Sequence, residues 1–175
     1  MNVQGTCEDK FLKVKELFDE LHSTDREIGS SFAVYKDGEP IIDIWGGFSS
    51  KEKTKEWEHN TLANVWSTTK GIAAITLAHA YENDLIDYEK KVCEYWPEFG
   101  CNGKEEITVG MLLSHQAGIC GSMATKAEDY YDQKIMANEL SLMKPIWEPG
   151  TASGYHFMTY GWLTSELILR GSGKS

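Results

Sequence analysis

No stretch of this 175-residue sequence reaches the roughly 18 consecutive apolar residues that a membrane-spanning helix requires. Residues 1–10 lack a basic patch followed by an apolar run, so no secretory leader is expected and the chain reads as cytoplasmic. Positive charge is scarce: 17 Lys and Arg stand against 27 Asp and Glu, and the net charge of −10 gives a field that repels phosphate backbones and anionic headgroups. Nucleic acid is therefore not an expected partner. Cys7, Cys93, Cys101 and Cys120 show neither CxxC spacing nor histidines at zinc-ligand spacing. That excludes an evident metal site or disulfide framework and predicts reduced thiols.

What is present suits one packed domain spanning residues 1–175, with 41% hydrophobic residues and no internal repeat. In residues 9–21, Phe11, Leu12, Val14, Leu17, Phe18 and Leu21 fall near a helical period, which predicts an amphipathic first helix. Two β-rich runs, residues 30–35 and 40–45, flank an Asp37-Gly38 pair that favours a tight hairpin. A polar loop over residues 49–60 precedes a second helix from near Ser67 to Glu82. Its residues Ile72, Ala73, Ala74, Ile75, Leu77, Ala78 and Ala80 cover much of the circumference and predict a helix buried between layers. Residues 86–103 read as irregular and residues 108–113 as a short helix capped by Thr108; residues 116–122 are turn-rich. Residues 159–169 read as an amphipathic stretch with Trp162, Leu163, Leu167 and Ile168 on one side.

The chemistry centres on Ser67-Thr68-Thr69-Lys70, an S-x-x-K motif. On a helix, residues i and i+3 are neighbours, so the Ser67 hydroxyl and Lys70 amine come within hydrogen-bonding reach. Serine is a poor nucleophile until a neighbour takes its proton. Lysine serves in that role when burial disfavours its ammonium form, which the apolar neighbours Trp66, Ile72 and Ala74 are expected to promote. Backbone N–H groups at the helix start, including that of Ser67, can face a developing oxyanion. The competing reading of these four residues is an ordinary helix start, with Ser67 as cap and Lys70 solvated.

Residues 62–71, ending in Trp66-Ser67-Thr68-Thr69-Lys70-Gly71, resemble the nucleophile segment of class C β-lactamases, penicillin-binding proteins and related bacterial esterases. Residues 84–88, 95–99 and 107–118 follow in the order of that family, and their wording is most similar to its esterase-like branch. Residues 147–151 lead into residues 154–162, which resemble the segment carrying the family's Y-x-N motif, with Tyr155 matching the tyrosine. The resemblance covers residues 11–175. It implies that Tyr155 is the general base that later protonates the leaving group, and a tyrosine with an ordinary pKa near 10 needs an ammonium such as Lys70 nearby to do so at neutral pH.

Two departures stand out. Phe157 occupies the asparagine position of Y-x-N, which removes the amide that helps position a β-lactam carbonyl and suits the esterase-like branch. The family's third motif, a lysine or histidine followed by a small residue and glycine on a closing strand, has no counterpart here, so a partial family domain is expected. Without that strand, the hairpin of residues 30–45 is expected to have an exposed edge and an uncovered apolar face.

The other polar candidates read as structural. His115 is placed by the resemblance in a turn and not in a Ser-His pair. His156, next to Tyr155 on an extended segment, is expected to point to the opposite face and serve packing or a hydrogen bond. His22, His59 and His79 are dispersed, and most of the six tryptophans fall at element ends where aromatics pack a core. Asp84, Asp87, Glu98, Glu105 and Glu106 read as charged loops and not as a glycosidase pair.

The expectation is an α/β (α+β) fold of the β-lactamase/transpeptidase type, with an antiparallel sheet flanked by helices, a mostly helical part over residues 88–140, and the closing C-terminal strands missing. The expected activity is hydrolysis of a small-molecule ester or amide through a Ser67 acyl-enzyme, with Lys70 and Tyr155 handling protons and no cofactor or metal. The competing reading is a catalytically inactive remnant that acts as a binding module or has no function. Nothing in the sequence fixes the oligomeric state.

Overall fold

Asp37 and Gly38 both have positive φ, 52° and 85°, as a two-residue type I′ turn requires, and they join two antiparallel strands. The computed structural model describes residues 3–121 and 126–174, with β1 (Gln4–Cys7), α1 (Leu12–Ser23), β2 (Gly29–Lys36) and β3 (Glu39–Gly47) in one compact unit, Met1–Asn64. A second unit, Val65–Ser175, holds α2 (Thr69–Glu82), α3 (Val92–Tyr95), α4 (Val109–Leu113), α5 (Gln133–Leu142) and α6 (Thr159–Ser172).

In the first unit the strand order is β1-β3-β2, antiparallel throughout. The sequence suggested an exposed edge and an uncovered apolar face for the hairpin; β1 covers the β3 edge, with Gln4 opposite Trp45 and Cys7 opposite Ile42, and α1 covers the apolar face. Gln-Gly-Thr-Cys carries no hydrophobic alternation, so its strand role comes from its partner. Gly5 is essential to that pairing, because a Cβ there would stand 2.0 Å from the Asp43 carbonyl oxygen, and its φ is +95°. The register shifts between Val34 and Tyr35, where Tyr35 faces Pro40, a residue with no N–H to give to the ladder. Ile42 and Ile44 point to one face by the period-two alternation and are buried with Phe18 of α1. The adjacent His22 is also buried, its Nδ1 2.7 Å from the Phe18 carbonyl and its Nε2 3.2 Å from Ser30 Oγ.

In the second unit one apolar cluster joins Leu77 and Ala80 of α2 to Leu163 and Leu167 of α6, with Leu112, Ala137 and Leu140 from the shorter helices. The segment that read as irregular supplies Ile86, Val92, Trp96 and Phe99 to this cluster. It contains α3, whose first turn is held by the Lys91 N–H donating to Glu94 Oε1 at 3.0 Å. Complete burial of a side chain such as Phe99 contributes about 1.5–3 kcal/mol. Thr108 caps α4 as expected, its Oγ1 accepting from the Met111 N–H at 3.1 Å. The turn-rich segment is described up to Gly121; Ser122 lies outside the described residues.

One expectation about α2 is corrected. Of its small and apolar residues only Leu77 and Ala80 are buried, while Ile72 and Ile75 are 61% and 67% exposed. Within its unit α2 packs against α6, which covers one of its faces, so apolar residues around the rest of the circumference remain at the surface.

Candidate active site

Ser67 lies in a 3-10 turn, Trp66–Thr68, that runs directly into α2, and Lys70 sits one turn further on. The residue before the serine, Trp66, has φ 48°, a left-handed conformation rare for a bulky side chain. The i, i+3 spacing brings the Lys70 ammonium to 3.3 Å from Ser67 Oγ, with Lys70 as donor. Contrary to the buried environment expected for Lys70, the residue is half-buried, and its second bond is to the Phe157 carbonyl oxygen at 2.9 Å.

Tyr155 comes from the irregular segment just before α6. Its ring lies 4.8 Å from Lys70 Nζ. A hydrogen bond to the Ser67 hydroxyl, and then the hydrogen bond and positive charge of Lys70, hold the phenol below the ordinary tyrosine range. Lys70 donates to Ser67, so the serine hydroxyl keeps its own proton available to donate in turn.

The structure thus brings together the three residues singled out from the sequence, Ser67, Lys70 and Tyr155. Phe157 replaces a side-chain amide with a ring, yet its backbone carbonyl still anchors Lys70. A cleft of about 340 Å³ opens beside these groups, lined mainly by apolar atoms of Trp66, Ala73, Phe157, Met158 and Tyr160. Tyr160 gave no signal in the sequence beyond its helical spacing. Its ring stands 5.7 Å from Lys70 Nζ, and burial raises its pKa.

Several of the remaining candidates have structural partners. Glu98 pairs with Arg170, Glu106 with Lys91, and His59 with Asp43. Asp87 Oδ1 accepts from the Glu89 N–H, and Asn83 Nδ2 lies 3.5 Å from His79 Nδ1. His156 is fully buried, and its Nδ1 lies 2.9 Å from the Gly154 carbonyl oxygen, a structural hydrogen bond of the kind expected for it. Trp96 is buried, whereas Trp66 is 73% exposed and belongs to the cleft.

Gly154 sets the path of the segment that carries Tyr155. A Cβ there would meet Trp147 Cη2 at 2.2 Å, so Gly154→Ala forces the indole or the segment to move. Overpacking of this kind costs about 1–3 kcal/mol. The expected outcome is a urea unfolding midpoint lowered accordingly at unchanged slope, and an unshifted midpoint would show that Trp147 yields freely.

A family profile described as Beta-lactamase matches residues 14–175. Esterase/beta-lactamase LipL of Mycobacterium tuberculosis (strain ATCC 25618 / H37Rv) is 36% identical over 172 residues, which cover 98% of this chain and 40% of that protein. Among solved structures, a family VIII carboxylesterase matches with a TM-score of 0.93 at 40% identity, over 99% of this chain and 47% of the other. A penicillin-binding protein homolog from Caulobacter crescentus gives 0.95 at 35% identity, over 100% and 47%. The chain spans less than half the length of each of these relatives.

Proposed function

The chain belongs to the β-lactamase family, and from that premise we propose that it carries the nucleophile-bearing part of a single serine-hydrolase domain acting on small carboxylic esters. The observation that carries the proposal is the convergence of the three groups, with Lys70 donating to Ser67 Oγ at 3.3 Å and lying 4.8 Å from the centre of the Tyr155 ring. Ser67 Oγ attacks the ester carbonyl, its proton passes to the Tyr155 oxygen, and a C–O bond to Ser67 forms. Collapse of the tetrahedral adduct breaks the bond to the alcohol, which takes the proton from Tyr155 and leaves. Water then repeats the sequence on the acyl-enzyme, with Tyr155 removing its proton and returning it to Ser67. Lys70 remains an ammonium donor throughout, stabilising the phenolate and orienting the serine.

An ester is favoured over a β-lactam by two features. The apolar cleft suits a short acyl or alcohol group, and Phe157 offers no side-chain amide to hold a lactam carbonyl. Reaction with a fluorophosphonate followed by peptide mass mapping tests the proposal: a single adduct on Ser67 is expected. A cooperatively unfolding chain that takes up no probe would sink it and favour a non-catalytic role.

A further inference from the structure

His115 grips the chain on both sides of Tyr155. Its carbonyl oxygen accepts from the Gly154 N–H at 3.0 Å, and its Nδ1 accepts from the His156 N–H at 3.1 Å. Its ring packs against three others, Tyr155, His156 and Tyr160, at centroid distances of 5.0, 5.2 and 5.2 Å. To do this, His115 adopts φ 66°, a left-handed backbone that few non-glycine residues adopt, just past the C-cap of α4.

The surrounding donors assign the protons of both imidazoles. His156 Nδ1 lies 2.9 Å from the Gly154 carbonyl oxygen, which can only accept, so Nδ1 carries the hydrogen. His156 Nε2 then holds a bare lone pair, and it is buried with no hydrogen-bond partner among the described residues. His115 Nδ1 faces the His156 backbone N–H at 3.1 Å, so it must be the acceptor and its hydrogen sits on Nε2; the His156 Nδ1, whose hydrogen is directed at Gly154, lies 3.2 Å away.

We propose that His115 and His156 form a neutral, tautomer-fixed pair that holds Tyr155 against Lys70 and Ser67, making both histidines positioning residues. The inference rests on the reading of Tyr155 as the base, but its geometry does not. His115 is not the base itself, because its Nδ1 is engaged by the His156 amide. Neutrality follows from the surroundings. Protonating His115 Nδ1 would set an N–H against the His156 backbone N–H beside the Lys70 ammonium, and protonating His156 Nε2 would bury a charge with no partner among the described residues. The other titratable groups packed against the pair are the phenols of Tyr155 and Tyr160, which supply no negative charge while protonated.

The test compares His115→Asn with His115→Gln in the full chain. Asparagine tolerates the left-handed backbone and places its oxygen near the position of Nδ1; glutamine reaches past it. Two properties are read: titration of the Tyr155 phenol by NMR of isotope-labelled tyrosine, assigned with Tyr155→Phe, and the rate of Ser67 labelling by the fluorophosphonate. His115→Gln is expected to move the Tyr155 pKa up into the ordinary tyrosine range and to slow labelling about 10–100-fold, as misplacement of a reacting group does. His115→Asn is expected to stay close to wild type in both. A glutamine variant that keeps the wild-type phenol titration overturns the pair's role. Tyr155→Phe labelling at the wild-type rate removes the base reading alone, since the phenol titration would still follow residue 115. Long-range nitrogen NMR of wild-type histidines is the check independent of any variant: a hydrogen on His115 Nδ1 or on His156 Nε2 overturns the assignment.

Discussion

Ser67→Ala is expected to lower kcat/KM for a short-chain ester by at least about 10³-fold, since removing an activated nucleophile leaves only binding and electrostatic stabilisation. Lys70→Ala should fall nearly as far. The lysine both donates to Ser67 and lies over the Tyr155 ring, and its loss removes two of the three influences that hold the phenol down. The losses should not be additive, because in the proposed mechanism Lys70 acts only by supporting the proton transfer between Ser67 and Tyr155. A Ser67→Ala, Lys70→Ala double variant should therefore be no slower than Ser67→Ala. The wild-type rate should rise with pH through an inflection below the tyrosine value near 10, since the phenolate is the form that accepts the proton. Steady-state hydrolysis of a chromogenic ester across pH measures all of this. Equal rates for wild type and Ser67→Ala would place the chemistry elsewhere.

Acid should destabilise the fold well before its carboxylates protonate. Burial, with a smaller contribution from the neighbouring His115, depresses the pKa of His156 from 6.5 to about 4. The unfolded chain takes up a proton near pH 6.5 while the native imidazole remains neutral. Stability from this group is thus complete above about pH 6.5, falls as pH drops towards 4, and is lost below that. A shift of this size corresponds to about 3 kcal/mol. Urea unfolding at intervals between pH 7 and 4 should show this loss, and His156→Asn, which retains a donor towards the Gly154 carbonyl but cannot titrate, should flatten it. A slope unchanged in that variant would assign the acid sensitivity to other groups.

The local features of the fold were legible in the residues. Asp37-Gly38 specified the hairpin, Thr108 the cap of α4, and the spacing of Ser67 and Lys70 their contact. Each depends on neighbours within four residues along the chain. Lys104 shows the opposite case. It stands next to Glu105 and Glu106 in the sequence, yet it is fully buried, with its ammonium donating to the carbonyls of Met143 at 2.6 Å and Cys101 at 2.9 Å. No local pattern announces such a site, because one of the acceptors that compensates its desolvation lies 39 residues away.

The same division runs through the candidate site. Sequence alone singled out the side chains proposed to carry the chemistry, because a serine, a lysine at i+3 and a tyrosine in a recognisable segment are chemical identities written residue by residue. Tertiary structure decided how they are used: that Lys70 anchors on the carbonyl of Phe157 and not on a side chain, that β1 covers an edge of the sheet, and that α2 keeps Ile72 and Ile75 at the surface. It also decided that His115, a turn residue by its neighbours, bonds to both residues flanking Tyr155. These outcomes depend on partners about 40 to 90 residues distant, and hydrogen-bond direction, burial and pairing register exist only once the chain has closed those distances.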